Sequence, residues 1–161
     1  MNQETRTLIS WWKVKAENEH DPFIKFFIFY MCLDAWMTSE SQAERESGKL
    51  NWLINTDNDL KTYWEEVKPN KHFQSWLNGL RKQEKIENMH PRHRGKNVSL
   101  TDTNNFGQVM KFIYQIRCNL FHGGKSLVNT NDRNLVHWSG KILERWIEWT
   151  LLKTGKEGPG I

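Results

Sequence analysis

The sequence predicts an all-α fold, an up-and-down bundle of four or five main helices, and three observations carry that prediction. Apolar residues recur at helical spacing over most of the chain, strand-like alternation is scarce, and the segment junctions carry helix caps and breakers. Nine Trp and eight Phe in 161 residues supply enough apolar bulk for one core, and a chain of this length buries roughly 70% of its extended surface on folding. We therefore expect a single helical domain over 1–153 and a flexible tail over 154–161, where "TGKEGPGI" loses the pattern.

In chain order, a first helix is expected over roughly residues 4 to 18. The second starts at "DPFIKFF", with Asp21 as N-cap and Pro22 at the first helical position. Its stripe Phe23, Phe26, Phe27, Tyr30, Met31 continues to Asp34 and Ala35, and the polar stretch "TSESQAERESG" extends it to Gly48, giving a helix of about 25 residues. A turn around "LNWLINTDND" leads to two shorter helices, "DLKTYWEEVK" and, after Pro69, "KHFQSWLNGLRKQEKIE". Residues 88 to 104 form a loop longer than compact domains usually keep without a function. A penultimate helix over roughly 104 to 121 is ended by Gly123 and Gly124. The last helix, from about Asp132 to Lys153, has two apolar lines, Leu135–Trp138–Ile142–Trp146–Trp149 and Val136–Leu143–Ile147–Leu151. So broad a face suggests burial on two sides and suits a dimer or partner surface.

Composition narrows the functional classes. A net charge of +4 and a pI near 9.1 permit an anionic partner such as nucleic acid without requiring one. Cys32 and Cys118 form neither a CxxC motif nor a dense framework, which fits a reduced cytoplasmic setting. The N-terminus shows no signal or transit pattern, and the longest apolar run, "FFIFYMCL", is about eight residues, too short for a membrane span. No metal or other cofactor is expected, because His90 and His93 lack a matching set of ligands. The Trp residues sit at periodic positions across the helices, a pattern of packing more than of base stacking.

The stretch "YQIRCNLFHGGK" stands apart. Arg117 falls four residues after Ile113 and seven after Met110, on or beside the apolar stripe, where a guanidinium needs a partner. Asp34 poses the mirror problem on the second helix, so an Arg117–Asp34 pair is the economical expectation. His122 lies five residues after Arg117, about 140° around an ideal helix, so one smooth helix does not bring their tips together. Either the helix loosens at His122, or the partners come from two copies of the chain.

The string "IRCNLFHGGK" resembles the RxxxxH signature of HEPN domains, the "higher eukaryotes and prokaryotes nucleotide-binding" superfamily, with Arg117 and His122 at its two defining positions. The resemblance is specific over about twelve residues, and the remainder agrees as an all-α bundle of suitable length. It implies a dimeric, metal-independent endoribonuclease of the toxin–antitoxin or antiviral defence kind, with a composite active site between protomers and a possible antitoxin protein as partner. Cys118 stands where active members often carry a polar residue, and Asn119 follows it.

These residue types suit RNA cleavage by the substrate's own 2′-hydroxyl. Histidine ordinarily titrates near neutral pH, so His122 suits the movement of protons, while Arg117 faces the phosphorane-like transition state with its forked donors. Asn119 is an auxiliary candidate beside them. Lys125, Arg92, Arg94 and Lys96 are candidate RNA-backbone contacts. Two other classes fit the same residues: a non-catalytic HEPN module that binds nucleic acid, nucleotide or protein, and a thiol enzyme using Cys118 with His122. Cys118 lacks a clear third group for the latter.

Overall fold

A computed structural model describes residues 1–83, 85–88, 95–121 and 129–156. Among the described residues the chain forms seven helices and one two-stranded antiparallel sheet, so the all-α expectation holds. Helix α1 spans Gln3–Glu17 and is opened by Asn2, whose Oδ1 accepts the Thr5 amide at 2.8 Å. Helix α2, Pro22–Ser41, starts where the sequence placed it, with Asp21 accepting the amides of Phe23 and Ile24 at 2.8 and 3.1 Å.

The expected 25-residue helix is divided. Gln42 takes up a left-handed conformation at φ 54°, which ends α2, and a separate helix α3 runs Glu46–Asn55. The stretch "LNWLIN", expected to turn, is therefore helical. Helix α4 covers Asp59–Val67 and α5 covers Lys71–Arg81, the latter capped by Asn70.

A second correction follows α5. "KIE", expected to continue a helix, is strand β1 (Lys85–Glu87), and "NVS" from the expected loop is β2 (Asn97–Ser99), with Ile86 opposite Val98. Ile86 is buried while Lys85 and Glu87 are exposed, the alternation of a half-buried strand. Helices α6 (Phe106–Phe121) and α7 (Thr130–Lys156) complete the chain.

The core draws on every helix. Trp64 of α4 packs against Phe73 of α5, Phe106 of α6 and Trp146 of α7 with ring centroids 5.5, 5.6 and 6.1 Å apart. Most of both apolar lines of α7 is covered within the chain: Leu135, Val136, Ile142, Leu143, Trp146 and Ile147 are buried, against α1, α2, α5 and α6, while Trp138, Trp149 and Leu151 stay half-buried.

Two helical glycines mark opposite packing limits. A Cβ on Gly79 would sit 2.5 Å from the indole of Trp138, so the missing side chain lets α7 lay that ring across α5. A Cβ on Gly140 would meet Phe26 at 3.7 Å, ordinary contact. Gly79→Ala is expected to destabilise by about 1–3 kcal/mol through overpacking, whereas Gly140→Ala is expected to stabilise by up to about 1 kcal/mol through helix propensity. Urea unfolding of the two variants checks both signs.

Candidate functional site

The C-terminal half of α6 presents Tyr114, Arg117 and Phe121 on one face, at spacings of three and four. Facing them are Phe27 and Tyr30 of α2 and Glu46 in the first turn of α3, an end of a helix that favours a carboxylate. Arg117 donates from Nη1 to Glu46 Oε2 at 3.0 Å. Its guanidinium carbon lies 4.3 Å from the ring centroid of Phe121 and 5.4 Å from that of Tyr30, both within cation–π range. The side chains of Arg117 and Glu46 keep 24% and 27% of their accessible surface, so the pair is half-buried and reachable from solvent.

The tyrosines complete the cluster. Tyr30 and Tyr114 direct their hydroxyls at Glu46, each at 3.5 Å, the outer limit of a hydrogen bond. Burial pushes the Tyr30 phenol well above its ordinary pKa, the Glu46 carboxylate adds to the rise, and Arg117 opposes it. Burial also raises Tyr114, followed by its contact with Cys118. Both phenols therefore stay protonated at neutral pH and face Glu46 as donors. Arg117 Nε is buried and has no hydrogen-bond partner among the described residues, so Glu46 and the aromatic rings fix the guanidinium largely by one carboxylate contact and stacking.

This geometry corrects the expected Arg117–Asp34 pair. Asp34 instead accepts both of its bonds from Lys49 Nζ, at 3.1 and 3.2 Å. The physical reason lies in α3: Glu46 and Lys49 are three apart on its surface, and their opposite charges take up Arg117 and Asp34 separately.

Asn119, two residues from Arg117, lies about 200° around the helix. It is 2% exposed; its amide accepts from Gln115 Nε2 at 2.8 Å and donates to the Glu87 carbonyl at 2.7 Å. That placement docks β1 onto α6, on the opposite side of the helix from Arg117. Lys96 is exposed just before β2, and its carbonyl accepts the Asn88 amide at 2.8 Å. His122, Lys125, Arg92 and Arg94, with His90 and His93, lie outside the described residues.

Cys118 is half-buried, with Sγ 4.0 Å from Arg117 Nη1. No group of three or more His, Cys, Asp or Glu side chains suited to a metal occurs among the described residues, and no described helix is long and apolar enough to cross a membrane.

The residues missed from sequence are Glu46, Tyr30 and Tyr114. Tyr30 lay hidden in a stripe that also reads as core, and Glu46 in a run that reads as polar helix surface. A phenol at i−3 from an arginine, as Tyr114 is to Arg117, was the available signal that a shared acceptor had to be near.

Glu46→Ala is expected to lower stability by about 1–2 kcal/mol, a value reduced from that of a fully buried pair because both side chains are partly solvated. Glu46→Gln, which keeps an acceptor for Arg117, is expected to lose less than half of that in thermal melts. A scan against protein-family models, a search of curated proteins and a search of solved structures each found no match.

Proposed function

We propose that the chain is a metal-independent endoribonuclease of the HEPN type, with Arg117 and His122 as its catalytic pair. The observation that carries this reading is the state of Arg117. Its guanidinium is fixed at the end of α6 by Glu46 and by two aromatic rings, yet remains partly exposed, and the His of the motif follows directly on Phe121. A guanidinium already oriented before substrate arrives suits the charge that develops on a phosphate in transit.

In the proposed reaction the 2′-oxygen of a ribose forms a bond to the adjacent phosphorus as the bond from phosphorus to the 5′-oxygen breaks. His122 takes the 2′-hydroxyl proton or returns a proton to the leaving 5′-oxygen, and Arg117 faces the non-bridging oxygens. The products are a 2′,3′-cyclic phosphate and a 5′-hydroxyl. The angle of about 140° that five residues span on an ideal helix favours a composite site shared by two copies. Phe121, 55% exposed beside Arg117, offers apolar surface for the second copy to cover. A cytoplasmic toxin–antitoxin or antiviral role, with an antitoxin as partner, belongs to the same proposal.

Incubation with total and transfer RNA in EDTA, with mapping of fragment ends, tests it. Cutting that leaves cyclic-phosphate ends supports the reading. Binding of varied RNAs without cutting selects the non-catalytic HEPN module, and cutting abolished by iodoacetamide points to Cys118.

A further inference from the structure

The surface of α5 has a charge pattern that the motif does not explain. Two open grooves, about 480 and 550 Å³ in volume, run along this helix and share Asn78 and Lys82 in their walls. One is completed by Lys71, Gln74 and Trp138, the other by Arg81, Leu100 and Thr101. No carboxylate occurs among the described lining residues of either groove. Lys71, Arg81 and Lys82 are all exposed and make no ion pair among the described residues. Elsewhere cations are either paired, as Lys49, Lys68, Lys141, Arg145 and Lys153 each are with a carboxylate, or without an ion pair among the described residues but scattered, as Lys15, Lys111 and Arg133 are. What sets α5 apart is three of them along one groove. Three cations without an ion pair among the described residues, along a double groove whose described lining holds no acid, form a local positive field, the footprint of a polyanion partner.

The dimensions and the aromatic wall favour one polyanion. Helix α5 has 11 residues and is about 16 Å long, enough for a strand to lay several nucleotides along it. Trp138 lies half-buried in the groove wall, its ring held against α5 by the space that Gly79 leaves. An indole face beside a row of cations is the arrangement on which unpaired bases stack while the backbone is gripped. A duplex keeps its bases stacked inside and has none to offer that ring.

We infer that the exposed face of α5 is a docking track for single-stranded RNA, with Lys71, Arg81 and Lys82 gripping phosphates and Trp138 receiving a base. The inference rests on the RNA-directed reading above and extends it to a surface outside the RxxxxH motif. Lys71, Asn78 and Lys82 recur on one side of the helix, so the strand follows its axis.

The test measures binding apart from cutting. A fluorescein-labelled, fully 2′-O-methylated oligonucleotide lacks the attacking hydroxyl, and anisotropy gives its affinity across a salt series. The triple variant K71A/R81A/K82A is expected to bind at least tenfold more weakly at low salt, with the slope of log K against log salt reduced by about 2, at about 0.7 per lost phosphate contact. The control triple K15A/K111A/R133A removes the same charge from scattered exposed positions and is expected to stay within about twofold of wild type. Thermal melts confirm that both triples fold, and the single reversal K82E supplies a milder variant with a loss in the same direction.

Equal binding by wild type and the α5 triple overturns the inference whatever cleavage does. Tighter binding of duplex RNA, or equal capture of polyglutamate through the same residues, overturns the single-strand assignment. Binding through α5 by a chain that never cuts natural RNA leaves the inference standing and removes the nuclease reading, so the two failures are distinct.

Discussion

On the proposed nuclease mechanism, Arg117→Ala is expected to lower the rate of RNA cleavage by at least about 100-fold, the usual loss when one oriented donor to a transition-state charge is removed. His122→Ala is expected to lose about 100- to 10,000-fold, the range of general acid–base catalysis. Combining them should cost little beyond the worse single variant, because in the proposed reaction the two groups act on one transition state. Arg117→Lys separates charge from geometry. Lysine keeps the positive charge but loses the planar fork that lies over Phe121 and Tyr30 while bonding Glu46, so activity should stay at least tenfold below wild type. Initial rates on a defined RNA in EDTA, with circular dichroism to show retained helix, check the series. Full activity in both alanine variants removes the Arg–His mechanism.

The helices were legible where local chemistry and tertiary packing agree. Asp21 and Pro22 begin α2 because cap, ring constraint and apolar stripe all favour the same boundary. The end of α2 was not legible. Gln42 occupies a left-handed conformation that glycine or asparagine usually signals, so nothing in "SESQAERES" announced the stop. The hairpin was missed for a related reason. Strands of three residues are too short to establish a period of two, and β1 is held from outside by the bond from Asn119 to Glu87.

The error about Arg117 followed from that first omission. With the start of α3 read as the tail of α2 and the remainder as a turn, Glu46 fell in a polar helix end, and Asp34 was left as the nearest available carboxylate. The sequence correctly demanded an acid for a guanidinium on an apolar stripe, since charge placed there has to be compensated. It could not say which acid, because partner choice depends on where α3 crosses α2 and α6. Asn119 shows what the sequence left out: about 200° of helical rotation from Arg117 makes it the contact that holds the hairpin.

Trp146 offers the largest expected effect on stability. It is fully buried in α7, with ring centroids 5.7 Å from Phe106 and 6.1 Å from Trp64, at the point where α4, α6 and α7 meet. Truncation to alanine removes an entire indole from a close-packed centre that cannot collapse around it, a loss of about 3–5 kcal/mol. For a chain of this size that should lower the melting temperature by about 10 °C or more. Trp146→Phe is expected to behave differently. The Trp146 indole N–H is buried without a hydrogen-bond partner, so phenylalanine removes an unsatisfied donor while keeping an aromatic ring in place. The relief offsets much of the lost volume, and stability should stay within about 1 kcal/mol of wild type. Trp64→Phe is the contrast, since the Trp64 indole donates to the Asn104 carbonyl, at 3.4 Å, ahead of α6. That variant should be destabilised by more than Trp146→Phe. Thermal and urea melts of the four proteins decide it: equal losses for the two phenylalanine variants would show that ring volume alone sets the stability of this junction.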